Sequence, residues 1–165
     1  MSGPQPEPTF IATGQAHARL GIVRSQLQNL FPHLLYLYVT KRETRLFSAA
    51  YIDAYATYLR ERSQQATVGT ARAFARTAQA QDIVTEVTTR VDTILREKIT
   101  FTPQEAMQLL NVAKMTITSW HQGNVFTVRR QKVTPKRNRG KEQREILLIP
   151  ASELRTALEW HRPQQ

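Results

Sequence analysis

The chain has no cysteine, which excludes disulfides and thiolate-bound metal and leaves no sign of an oxidising compartment. Glycine is scarce, six residues in 165, and none is spaced as a phosphate-cradling loop. No apolar run is long enough to cross a bilayer, since the most apolar stretch, residues 30–39, contains Pro32 and His33. The first ten residues hold no apolar block of the kind a secretory signal needs. An intracellular protein without a membrane partner is therefore expected. Acids are also few, thirteen against twenty-three Lys and Arg, for a net charge of +10. They do not fall as an acid/base couple, and the four histidines (His17, His33, His121, His161) lack ligand spacing. No enzyme, no metal and no cofactor is expected. His121, beside Trp120, reads as a helix-end or groove residue rather than a ligand.

What is present is patterned. Apolar content of 41% supports a folded core, and 165 residues hold one ordinary domain or two very small ones. The most informative stretch is 101–160. Thr102-Pro103-Gln104-Glu105 combines a capping threonine, a proline at the first helical position and a glutamate that can reach back to the cap. Ala106, Leu109 and Leu110 form one face of a short helix, and Asn111 tolerates the left-handed conformation that ends helices. A second helix is expected over 113–121, closed by Gly123. The period then becomes strand-like over 125–133 and again over 145–149, with a polar turn between. A short helix over 151–161, ended by Pro163, buries Leu154, Ala157 and Leu158. Helix, tight turn, helix, basic hairpin and short helix form the layout of a winged helix-turn-helix.

These residues resemble the MerR/excisionase-like DNA-binding domains, whose start reads roughly T-x-x-E-A-A-x-L-L-G-V-S. Thr102, Glu105, Ala106, Leu109, Leu110, Asn111 and Val112 match it, and Ile149, Pro150 and Leu154 match the closing I-P-x-x-x-L. Asn111 replaces the usual glycine, and Ala113 replaces the usual capping serine or threonine.

A shift of ninety positions lays a second copy over the first. Ala16 falls on Ala106, Leu20 on Leu110, Gly21 on Asn111, Ile22 on Val112, Arg24 on Lys114, Leu27 on Ile117 and Leu30 on Trp120. A strand-like Tyr36–Val39, a polar tip at 40–44 and a helix capped by Ser48 complete the copy, whose hairpin is shorter and less basic. The alternative is an unrelated helical unit whose leucine spacing coincides by chance. Between the copies, residues 70–98 contain neither proline nor glycine and predict one long helix. Its stripe Ala73, Thr77, Ala80, Val84, Val87, Val91 and Ile94 has coiled-coil spacing. We expect Val84, Val87, Val91 and Ile94 to form a homodimer seam; the alternative is that the stripe packs against one of the chain's own winged units.

The expected fold is mainly α with small β-hairpin wings: a disordered tail at 1–8, winged helix-turn-helix unit 1 at 9–62, a linker and long helix at 63–98, and unit 2 at 99–162. Positive charge concentrates in 129–144, with eight Lys or Arg against one acid, which points to a polyanion. The resemblance implies double-stranded DNA as partner, with the second helix of each unit in the major groove. Candidate contacts are Lys114, Thr116, Thr118, Ser119, His121 and Gln122 in unit 2, and Arg24, Ser25, Gln26, Gln28 and Asn29 in unit 1. The wings add Arg129, Arg130, Lys132, Lys136, Arg137, Arg139, Lys141 and Arg144, and in unit 1 Lys41 and Arg42. The resemblance implies a cytoplasmic, nucleoid-associated regulator or recombination or replication accessory factor. No effector-sensing segment follows the long helix, so no small-molecule effector is expected. The rivals are sequence-indifferent architectural coating of DNA and a protein-interaction adaptor. RNA is disfavoured because no aromatics interleave the basic run.

Overall fold

The computed structural model describes residues 9–126, 129–133 and 144–164, with side chains omitted for 130–133 and 144–146. Strand β1 (Phe10–Ile11) leads into α1 (Thr13–Leu20) and α2 (Arg24–Leu30). Helix α1 has no hydroxyl cap. Instead the Gln15 side-chain oxygen accepts from the backbone N–H of Ala12 at 3.1 Å, half of a capping box. Gly21 ends it at φ 66°, a conformation that costs glycine little. A hairpin of β2 (Tyr36–Val39) and β3 (Thr44–Ser48) follows, and then α3 (Ala49–Glu61). Ser48, fully buried, caps α3 by accepting from the Tyr51 N–H at 3.2 Å.

Three elements recur in the same order ninety residues on. Strand β4 (Thr100–Phe101), α6 (Pro103–Leu110) and α7 (Lys114–Gln122) occupy the positions of β1, α1 and α2. Thr102 and Glu105 close a full capping box, at 3.1 and 3.0 Å. Asn111 stands where Gly21 stands and is also left-handed, at φ 53°. Ile22 N–H donates to the His17 carbonyl at 3.1 Å and Val112 N–H to that of Met107 at 3.2 Å. The C-terminal hairpin pairs β5 (Arg129–Val133) with β6 (Arg144–Pro150), before α8 (Ala151–Ala157). β1 meets β3 through Phe10↔Ser48 and Ile11↔Phe47, and β4 meets β6 through Thr100↔Pro150 and Phe101↔Ile149.

Three features depart from the expected layout. The helix expected over 70–98 is two helices, α4 (Val68–Ala75) and α5 (Ala78–Glu97). Thr77 makes the break: its hydroxyl donates to the Phe74 carbonyl at 2.7 Å and accepts from the Ala80 N–H at 3.2 Å, so one side chain closes α4 and caps α5. Second, the last helix stops at Ala157, and Leu158–His161 form a strand, β7, antiparallel to β2. The N-terminal sheet thus reads β1-β3-β2-β7, while the C-terminal one reads β4-β6-β5.

Third, the apolar stripe of α5 is covered by the chain itself. The N-terminal sheet has a core on each face, because successive strand residues point opposite ways. Phe10, Leu37, Val39, Leu46 and Leu158 enter one core, with α6, α7 and α8. Ile11, Tyr36 and Phe47 enter the other, with α1, α2, α3 and α4. Helix α5 runs past both: Val84 and Val87 pack in the second core, Val91 and Ile94 in the first. Of the expected seam residues, Val87 and Val91 are buried within the chain and Val84 and Ile94 are half-buried. Full burial of a large aliphatic side chain contributes about 1.5–3 kcal/mol.

Tyr51 lies at the heart of the second core, fully buried, its ring edge-on to Phe74 with centroids 5.1 Å apart. Its hydroxyl has no protein partner, and burial holds its ionisation above the ordinary tyrosine range. Phenylalanine would keep the ring and remove the desolvated hydroxyl. Tyr51→Phe is expected to raise stability by about 1 kcal/mol, read as a higher urea midpoint at constant slope. A lowered midpoint would show that the hydroxyl is satisfied.

Candidate nucleic-acid interface

Helix α7 turns Ile117 and Trp120 into the core. Its outward side carries exposed Lys114, Thr118, Ser119 and Gln122, with Thr116 and His121 half-buried. Met115 is also outward, 84% exposed, an apolar residue that was not among the expected contacts. The face is not uniformly free to bind. The Thr118 hydroxyl donates back to the Lys114 carbonyl at 3.1 Å, and His121 Nδ1 is buried without a partner. Lys114 and Gln122 have the reach and the donors that base edges require.

Helix α2 repeats the arrangement, with Leu27 and Leu30 inward and Arg24, Ser25, Gln26, Gln28 and Asn29 exposed. Gln26 is partly engaged, because its side-chain oxygen accepts from the Val23 N–H at 3.1 Å. That bond is one half of a capping box; Val23 has no side-chain acceptor to supply the other.

The C-terminal hairpin is laddered from Arg129↔Leu148 to Val133↔Arg144, and Arg129 is exposed at its base. Arg130, Lys132 and Arg144 lie on the described backbone of these strands. Lys136, Arg137, Arg139 and Lys141 fall outside the described residues.

Lys41 and Arg42, expected to face nucleic acid, have partners inside the chain. Lys41 Nζ donates to the Asn124 carbonyl at 2.8 Å, and Arg42 Nη2 donates to the Ser119 carbonyl at 2.7 Å and its hydroxyl at 3.4 Å. Arg72 and Arg76 are cations that the sequence reading passed over. Arg72 is exposed on α4, which packs against α2, and Arg76 is exposed just past its end. A signal existed: residues 63–81 contain both arginines and no acid.

Among the described residues no cluster of three His, Asp or Glu could hold a metal, and no helix is long and apolar enough to cross a membrane. Three histidines are tied to carbonyls: His17 to Ile22, His33 to Gln164 and His161 to Pro32, each at 3.1 Å. The acids serve structure. Glu105 caps α6 and pairs with Lys98, Asp53 pairs with Arg19 at 2.8 Å, and Asp92 accepts the Trp160 indole N–H at 3.0 Å.

Asn111, which stands where Gly21 stands ninety residues earlier, makes a bond that glycine could not. Its Nδ2 donates to the Phe10 carbonyl at 2.9 Å, tying the turn between α6 and α7 to the N-terminal strand. Asn111→Gly would relieve little strain, lose that bond and loosen the unfolded chain. A loss of about 1 kcal/mol in urea unfolding is expected; an unchanged or higher midpoint would show that the tie is immaterial.

No protein-family model, no curated protein and no solved structure matches this chain.

Proposed function

We propose that this chain binds double-stranded DNA through two winged helix-turn-helix units, as a transcription regulator or a recombination or replication accessory factor acting on the nucleoid. The observation that carries the reading is one juxtaposition. A short helix with a polar, exposed outward face (Lys114, Thr118, Ser119, Gln122) is followed by a hairpin whose segment 129–144 bears eight cations against one acid. A helix of this size fits the major groove, where base pairs present distinguishable edges. Cations on a hairpin fit phosphates or a narrow minor groove. The resemblance to MerR/excisionase-like domains supports the same assignment. α2 then acts as the second reading helix, with Arg72 and Arg76 beside it as phosphate contacts.

In this reading the two reading helices belong to one chain, and α5 serves as an internal strut. No small-molecule effector, cofactor or catalytic step enters the reading. Sequence-indifferent coating of DNA is the second reading, favoured by how much of the charge lies in the hairpin rather than on α7.

Selection of bound duplexes from a random pool, followed by anisotropy titration at several salt concentrations, tests the proposal. The wild-type protein is expected to prefer a selected duplex to a scrambled one. If about six hairpin cations meet phosphates, log affinity falls against log salt with a slope of about −5. Changing Arg137, Arg139 and Lys141 together to Glu is expected to abolish binding and leave thermal melting intact. Retained affinity would remove the hairpin from the interface. Equal affinity for all duplexes would favour coating.

A further inference from the structure

The N-terminal hairpin tip makes contacts that DNA binding does not require of it. It turns at residues 40–43, with Glu43 left-handed at φ 50° and Arg42 N–H bonded to the Val39 carbonyl at 3.1 Å. Thr40 fixes the turn against the end of α8, its N–H and hydroxyl both donating to the Ala157 carbonyl, at 3.1 and 3.4 Å. From that anchored turn Lys41 and Arg42 reach the C-terminal end of α7. There they donate to the carbonyls of Asn124 and Ser119. The C-terminal end of a helix carries its partial negative charge, so two cations here, one on the Ser119 carbonyl and one on Asn124 just past the helix, hold this end by both hydrogen bonding and field.

Gly123 lies against the contact. Its φ is −86°, a value any residue adopts, so backbone conformation does not demand glycine. A methyl group there would overlap the Arg42 guanidinium, the far end of a flexible side chain that would have to move aside. The hydrogen-bonding pattern around the contact is also complete. The Ser119 carbonyl accepts from Gly123 N–H at 2.9 Å as well as from Arg42, which uses both of its lone pairs.

We infer that the N-terminal hairpin is a positioning clamp for α7, and that Arg42 and Lys41 set its sequence preference without touching nucleic acid. The inference rests on the DNA-binding reading. The two hairpins, equivalent in the repeated layout, then have different tasks: the cationic one holds the backbone of the DNA, and the short one aims the helix that reads it. Base readout needs donors placed to within a fraction of an ångström, whereas attraction to phosphates tolerates rotation of the helix. Loosening α7 at its C-terminal end therefore lowers preference before it lowers affinity.

The test uses three variants of the full chain: Arg42→Gln, which removes the charge and shortens the donor's reach; Gly123→Ala, which displaces the guanidinium and keeps every charge; and Arg62→Gln, which removes an exposed charge stacked on Tyr58 away from the clamp. Melting temperature, amide exchange over residues 119–124, affinity for selected and scrambled duplexes, and salt slope are measured for each. For Arg42→Gln and Gly123→Ala we expect faster exchange at the end of α7 and about tenfold less preference for the selected duplex, the equivalent of one ordinary charge-assisted hydrogen bond. Their salt slopes are expected to match wild type, and Arg62→Gln to keep full preference. Suppose instead that Arg42→Gln weakens both duplexes equally and its slope falls by about one, with Gly123→Ala like wild type. Arg42 is then a phosphate contact and the clamp is refuted. Preference retained in both variants refutes it as well, whatever the exchange shows. A wild-type protein without preference defeats the DNA reading itself, and the clamp's role in specificity goes with it.

Discussion

The pairing of β7 with β2 is the constraint on which the rest of the molecule depends. It brings the end of the chain, Leu158–His161, into a sheet begun at Phe10, in register Tyr36↔His161 to Val39↔Leu158. Because side chains alternate along a strand, this one sheet supplies an apolar face to each of two cores. Neither core is complete without it. Trp160 on β7 packs at the edge of both, and its indole N–H is held by Asp92 on α5. The β2–β7 pairing adds a stacked pair, Tyr36 and His161, with centroids 4.5 Å apart.

From this follows the relation between α2 and α7. Each belongs to a different core, but the cores share the sheet, and α5 is packed along both. Further ties cross between the halves: Asn111 to Phe10, Arg42 to Ser119, and Lys41 to Asn124. Two surfaces that the sequence presents as separate units are thereby fixed in orientation. For a protein proposed to read DNA with both helices, such fixing spares most of the ordering cost on binding and restricts the spacing of sites it accepts.

Local chemistry explains which parts of this were legible in the sequence. The ninety-residue shift was visible because helix ends have narrow residue requirements. Thr102 with Glu105, Gly21 and Asn111 each satisfy one, and the inward pairs Leu27/Leu30 and Ile117/Trp120 follow from helical spacing. The break at Thr77 was not visible, because a threonine on an apolar stripe gives no warning of which carbonyl and N–H its hydroxyl will take. Leu-Glu-Trp-His at 158–161 reads equally as a helix tail or a short strand, and only the open edge of β2 decides between them. Lys41 and Arg42 show a different limit. A cation at a hairpin tip looks the same whether it will meet a phosphate or a helix carbonyl, and here the carbonyls lie 77 and 83 residues away in sequence. The stripe of α5 was correctly apolar, but its spacing does not say whether the partner is another chain or the chain's own two cores.

The lack of cysteine also permits the most direct test of this arrangement. Ala18 on α1 and Gln108 on α6 are exposed and lie outside the proposed DNA contacts, so both can be changed to cysteine and spin-labelled without a competing thiol. Electron–electron double resonance then reports the distance between the two helices in the free protein. A single narrow distribution, unchanged on addition of DNA, is what a shared sheet with both halves locked to it requires. A broad or multimodal distribution that collapses only on binding would contradict it, showing two units tethered rather than joined.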